Sequence, residues 1–130
     1  MRTRTRLVLT VVALVLVVCG CSGGSSDTTV AASRAEDVGG AAHGRELYSS
    51  TCSACHGTSG EGIGGLGTQL SDSEFIQSMS NVELVAFIAV GRSTTDPDNT
   101  TGIAMPPKGG KDALTEQDLA DIVAYLRTLQ

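Results

Sequence analysis

The sequence predicts a small all-α domain of about four helices behind an export leader, and three observations carry that prediction. No segment alternates apolar and polar residues at period two, so no substantial sheet is expected. The C-terminal stretch combines a cap with a helical apolar period. The 130-residue chain holds only two Tyr, two Phe and no Trp. A domain so poor in aromatic rings needs something else at its centre, because one apolar core of this size gives only marginal stability.

Residues 1–21, MRTRTRLVLTVVALVLVVCGC, have the anatomy of an export signal: three Arg, then a 12-residue apolar run from Leu7 to Val18. The run is short for a membrane-spanning helix, which needs about 20 apolar residues. Val18-Cys19-Gly20-Cys21 resembles a bacterial lipobox. Cys21 fits as the lipid-modified residue because small Gly20 precedes it; Cys19 fits worse, with bulky Val18 at the cleavage position. Ordinary signal cleavage nearby and an uncleaved anchor are the alternatives, and all three place the remaining chain outside the cytoplasm.

Residues 22–42, SGGSSDTTVAASRAEDVGGAA, are small and polar and read as a flexible linker, with a coil reach of about 25 Å. Residues 43–130 are then the folded domain. Once the leader and its three Arg are removed, fourteen acids face six bases, a net charge of −8. That balance excludes a nucleic-acid binder, which needs clustered Lys and Arg to neutralise phosphate. The length excludes a large enzyme, and the single apolar run excludes a multi-span membrane protein.

Within the domain, a first short helix is expected over 42–51, with Leu47 and Tyr48 on the face of Gly44. Six glycines fall among residues 57–67, a run that lets backbone approach a flat ligand closely. Ser71 or Asp72 caps a short helix over Phe75, Ile76 and Met79. Asn81 caps the next, through Leu84, Val85, Ile88 and Ala89, and Gly91 stops it. Residues 93–102 form a polar loop. Thr115 caps the last helix with Asp118 at N3, and Leu114 and Leu119 form a hydrophobic staple. Leu119, Ile122, Val123, Leu126 and Leu129 follow on one face.

The chemistry lies in Cys52-Ser53-Ala54-Cys55-His56, a CxxCH run, the pattern of covalent haem attachment. Two thiols three residues apart lie on one turn and can each bond a haem vinyl group; His56 then lies under the iron as an axial ligand. A disulfide, a thioredoxin-like pair or half a zinc site are the other readings of CxxC. The thioredoxin reading lacks a βαβ context, and the only other His for zinc is His43. A second axial ligand is supplied by Ile103-Ala104-Met105-Pro106-Pro107. Met105 follows His56 by 49 residues, enough chain to return on the opposite face. The two prolines bar a helix beyond it. Met79, within a helical pattern, reads as core filler.

From His43 to Gln130 the chain resembles a class I, single-haem c-type cytochrome of the small bacterial sort. Four features carry the resemblance in order: Gly44 and Tyr48; Cys52, Cys55 and His56; Met105-Pro106; and Asp121-Ile122-Val123-Ala124-Tyr125-Leu126. The resemblance implies a cytochrome c fold around one covalent haem c, with His56 and Met105 as iron ligands. It also implies that the last helix packs its aromatic, Tyr125, onto the first helix at Gly44. Relatives often carry a Pro whose carbonyl accepts a bond from the proximal His; Thr68 stands there instead. No Trp is present to bond a haem propionate, and Arg92 is the candidate substitute, with a solvated surface Arg as the alternative.

The function these features imply is one-electron transfer rather than catalysis, with no small-molecule substrate. The expected partners are membrane-bound or periplasmic redox proteins (an oxidase, reductase or dehydrogenase), met on the outer face of a bacterial membrane through a lipid anchor. The acidic chain suits basic partners, while Lys108 and Lys111 near Met105 would make the exposed edge locally basic. A haem enzyme or gas sensor is the alternative if Met105 is labile. A permanent subunit of a redox complex would need the same domain.

Overall fold

The computed structural model describes residues 40–130; the expected export signal, Cys21 as its expected lipidated residue, and residues 22–39 of the expected linker lie outside the described residues. The elements in order are α1 over residues 40–51, α2 Ser53–His56, α3 Glu74–Ser78, α4 Asn81–Val90, a 3-10 turn Pro107–Gly110 and α5 Glu116–Arg127. Only Cys52 separates α1 from α2, so the two form one arm and four helical units surround the centre. Helix α1 starts at residue 40, two residues before the helix expected over 42–51 and inside the stretch 22–42 read as linker. Among the described residues there is no strand, only the isolated bridges Ile63–Gly67 and Arg92–Met105. No described helix is long and apolar enough to cross a membrane.

Helix α5 forms as its sequence dictates. Thr115 is the N-cap, and both bonds of the capping box are made: Asp118 N–H donates to Thr115 Oγ1 at 3.2 Å and Thr115 N–H to Asp118 Oδ2 at 2.8 Å. These bonds hold the Asp118 carboxyl below its usual range. Leu114 and Leu119 of the staple are both buried, as are Ile122, Val123 and Leu126. Helix α4 begins one residue earlier than Asn81 alone would place its cap. Ser80 is the N-cap, in a capping box with Glu83, and Gly91 at φ 74° ends the helix. Asn81 instead accepts a bond from Arg127 Nε at 2.9 Å. Helix α3 is also capped later than expected: Ser73 is its N-cap, without a side-chain bond, and Asp72 sits at φ 49° in the preceding turn.

The crossing of α1 and α5 organises the rest. Gly44 is buried with its Cα against the α5 backbone, so a Cβ there would lie inside the Asp121 carbonyl group. The sequence reading puts Tyr125 opposite Gly44. In the structure the α5 backbone at Asp121–Ile122 takes that place, and Tyr125 lies one turn on, against Tyr48, with ring centroids 5.2 Å apart. The crossing is too close for a ring. Beside it, His43 Nδ1 and Asp121 Oδ2 are 2.8 Å apart, and this bond raises the His43 pKa. At the other end of α5, the Arg127 guanidinium donates to the carbonyls of Ile76 and Met79, tying α5 to the α3–α4 corner.

Gly44→Val is expected to destabilise the protein by about 1–3 kcal/mol or more through overpacking, because the obstructing atoms are backbone and cannot rotate away. A denaturant midpoint equal to the parent's would place the crossing elsewhere.

Candidate functional site

A cavity of about 570 Å³ opens in the middle of the domain, with a wall drawn from every helical unit. Tyr48, Ile76, Leu84, Ile88, Ile122 and Leu126 form its apolar back. Cys52, Cys55, His56 and Met105 all lie on its wall, and Met79 does not. Met79 packs against the apolar core, the role its helical context indicates.

The end of the α1–α2 arm positions the first three. Cys55 N–H and His56 N–H both donate to Cys52 O, at 3.1 and 3.0 Å, which makes the CxxCH run one helical turn. The thiols are free, not joined as a disulfide. Burial, and then the charge of Cys55, push the Cys52 thiol up to about 11. A thioredoxin-like pair sits in a βαβ context, and among the described residues there is no strand. Zinc loses its donors too: no group of three or more His, Cys, Asp or Glu placed to hold a metal ion occurs among the described residues.

His56 is oriented by its Nδ1, 2.7 Å from Thr68 O. A carbonyl only accepts, so Nδ1 carries the proton and Nε2 is left with its lone pair. Thr68 thus supplies, without a proline ring, the carbonyl expected at this position. The backbone around it is held by Gly67, whose missing Cβ would clash with Cys55 O, and by the Ile63–Gly67 bridge. Among the glycines of the run, Gly62 closes on the Gln69 backbone, Gly67 on the Cys55 backbone and Gly57 on the Glu61 side chain, and Gly67 lies on the cavity wall. Behind His56, Tyr48 donates its buried hydroxyl to Gly57 O at 2.7 Å. Burial leads the causes that raise this phenol's pKa.

Met105 is positioned from the far end of α4. Arg92 N–H donates to Met105 O and Met105 N–H to Arg92 O, each at 2.9 Å. Gly91 permits the contact, since any side chain there would meet the Met105–Pro106 backbone. The intervening loop is closed by Asn99, whose Nδ2 donates to Ser93 O and Ile103 O at 2.8 Å each. Pro106 is extended, and the turn after it is left-handed at Lys108 and Gly109, φ 52° and 65°.

Arg92 is neither free in solvent nor bonded throughout: its guanidinium carbon lies 5.1 Å from the Phe75 ring centroid and 5.0 Å from that of Phe87. These two rings were not legible as site residues, because they come from different helices and only the fold brings them together. Lys108 Nζ donates to the carbonyls of Leu114 and Asp112, at 2.7 and 3.2 Å, and Lys111 Nζ lies 3.4 Å from Ser50 Oγ; both acceptor sets are neutral, and neither residue lies on the cavity wall.

The donor set fits haem c. Two unpaired thiols on one turn can form two thioethers, His56 has Nδ1 bonded to a carbonyl and Nε2 unengaged, Met105 lies on the same wall, and the remaining wall is largely apolar. In comparisons with known proteins, a family model described as Cytochrome c matches residues 41–130. No curated protein and no solved structure matches the chain.

Tyr48→Phe leaves the buried Gly57 carbonyl without its partner. It is expected to lower stability by about 1–3 kcal/mol with haem still attached, as read by chemical denaturation. An unaltered unfolding curve would mean that the Tyr48 hydroxyl does not brace the turn after His56.

Proposed function

The chain belongs to the cytochrome c family, with haem c bound covalently for electron transfer, and from that premise we propose that it is a class I carrier of the small bacterial type, with His56 and Met105 as its iron ligands and a lipid tether at Cys21. The observation that carries this reading is one cavity lined by both thiols, by His56 with Nδ1 already committed, and by Met105. Cys52 and Cys55 hold the macrocycle through thioether bonds. His56 Nε2 would be the nitrogen that ligates the iron, and the Thr68 carbonyl on Nδ1 fixes the plane of the ring. Met105 offers a neutral, soft sulfur, which favours ferrous iron and raises the potential. Bound haem supplies a reversible one-electron couple. Were His56 and Met105 both to ligate the iron, no coordination position would remain for a substrate.

The tether rests on residues 1–39. Cys21, preceded by Gly20 and followed by a small polar linker, is read as the mature, lipid-bearing N-terminus. The domain would then work on the outer face of a bacterial membrane. Its partners would be membrane-bound or periplasmic redox proteins, met as a shuttle or held as neighbours in one complex.

In Met105→Ala the weak far-red sulfur-to-iron band of the oxidised protein is expected to vanish and the potential to fall, while Met79→Ala keeps both. The reverse pattern would transfer the role to Met79. In cell fractionation, Cys21→Ser is expected to leave the membrane fraction or to accumulate as precursor, and Cys19→Ser to behave as the parent. If Cys21→Ser matches the parent in fractionation and intact mass, the anchor is an uncleaved helix rather than lipid.

A further inference from the structure

We propose that Lys108 is a positioning residue for Met105, holding the turn that follows the sulfur onto the base of α5. Met105 is followed by Pro106 and Pro107, which have no backbone N–H, so neither can donate a bond that fixes the chain beyond the sulfur. Upstream the loop is held by Asn99 and by the Arg92–Met105 backbone pair. Downstream, Lys108 is the first residue with both an N–H and a polar side chain. Its ammonium donates to Leu114 O at 2.7 Å and to Asp112 O at 3.2 Å. Leu114 is buried and precedes Thr115, the N-cap of α5, so this acceptor is itself fixed. Gly109 N–H closes the turn on Pro106 O at 3.0 Å.

The backbone at Lys108 indicates that the position requires a side chain. Its φ is 52°, in the left-handed region, where a Cβ is disfavoured and glycine is the ordinary residue. Glycine is used at the next two positions, Gly109 and Gly110, at φ 65° and 85°, yet a lysine stands here. Strain of this kind persists only where surrounding contacts over-determine it. The contacts available are the two bonds from the ammonium, and bonds from an ionised donor are the stronger class. Among the described residues no carboxylate pairs with Lys108, so its charge is answered by carbonyl dipoles. The turn it closes packs on α4. At Gly109 the turn also meets the end of α1, where an added Cβ would lie 2.9 Å from the Thr51 methyl. Lys108 therefore joins the sulfur's turn to α5, while the turn itself lies between α4 and the arm that carries the thiols. This role deepens the reading of Met105 as an iron ligand and rests on it.

The test uses the intact haem protein carrying Lys108→Met, Lys108→Gly or Lys108→Arg, with Ser80→Ala as a control that weakens the cap at the far end of α4. Added imidazole displaces a sulfur ligand only when the loop is open, so its half-saturating concentration reports the open fraction. That concentration is expected to fall about tenfold in Lys108→Met, the effect of losing a bond to a charged group. Lys108→Gly, which relieves the backbone, is expected to fall as far, and Lys108→Arg, which keeps a cationic donor, to regain most of the loss. Hydrogen exchange at the Met105 and Arg92 amides, which bond each other, is expected to quicken in the Met and Gly variants. Ser80→Ala is expected to lower the unfolding midpoint with the parent's imidazole titration. With the far-red band present in the parent, three results would each overturn the role of Lys108 alone: a Met or Gly variant that matches the parent in either measurement, an Arg variant no better than Met, or a Ser80→Ala protein that takes imidazole as readily as Lys108→Met. Absence of the band from the parent would instead overturn Met105 as the ligand, and the role of Lys108 with it.

Discussion

The backbone contact between Gly44 and Asp121 is the constraint from which the rest of the structure follows. Two helices can approach this closely only where one has no side chain, and Gly44 supplies that position. The crossing sets Tyr125 against Tyr48, one turn further along each helix. Tyr48 then directs its hydroxyl to Gly57 O, the residue after His56. The α1–α2 arm is thereby fixed at both ends, and the CxxCH turn is held where its thiols and imidazole meet the cavity. A feature of helix packing thus determines where the imidazole stands, some twelve residues along the chain from the glycine.

The two sides of the cavity use the same device, a backbone carbonyl or backbone pair that aims a side chain. On one side Thr68 O fixes the tautomer and plane of His56. On the other, the reciprocal bonds between Arg92 and Met105 fix the loop that carries the sulfur. Both sides need glycine nearby, Gly67 in the first case and Gly91 in the second, because in each a Cβ would collide with backbone. The thin aromatic content follows from the same plan: Tyr48 and Tyr125 pack on the arm, Phe75 and Phe87 pack edge to face beside Arg92, and the centre is left to the prosthetic group.

Much of this was legible in the sequence because it is local. CxxCH, the Met-Pro-Pro loop, the Thr115 cap with Asp118, and the 3.6-residue period of the last helix are all read within a dozen residues. Ser80-x-x-Glu83 was equally local and marks the α4 start better than Asn81 does, since the Ser side chain and the Glu carboxylate bond reciprocally. What sequence could not reveal depends on pairs far apart in the chain. The partner of Gly44 is a backbone carbonyl 77 residues away and has no side-chain signature. Phe75 and Phe87 converge on Arg92 only after α3 and α4 have packed. Lys108 and Lys111 look like surface charge in sequence, yet Lys108 closes the turn between the Met105 loop and α5.

The distribution of bonds divides the domain into two parts with different dependence on what fills the centre. The half built from α1, α3 and α5 is joined by contacts that lie away from the cavity mouth: the Gly44 crossing, the His43–Asp121 bond, and the Arg127 guanidinium on Ile76 and Met79 carbonyls. The loop between Arg92 and Met105 is joined by bonds among its own residues and to the end of α4, chiefly those of Asn99 and the Arg92–Met105 pair. A ligand that binds only the folded chain adds its binding free energy to stability. The thiol and imidazole side is ordered by helix packing. The sulfur side is held by the packing of the Pro107–Gly110 turn on α4 and by the Lys108 bonds to the Asp112 and Leu114 carbonyls. A carrier of single electrons benefits from this arrangement, because its iron environment should change little between oxidation states. Helix packing provides that on one face, and the Arg92–Met105 backbone pair with the turn packed on α4 provides it on the other.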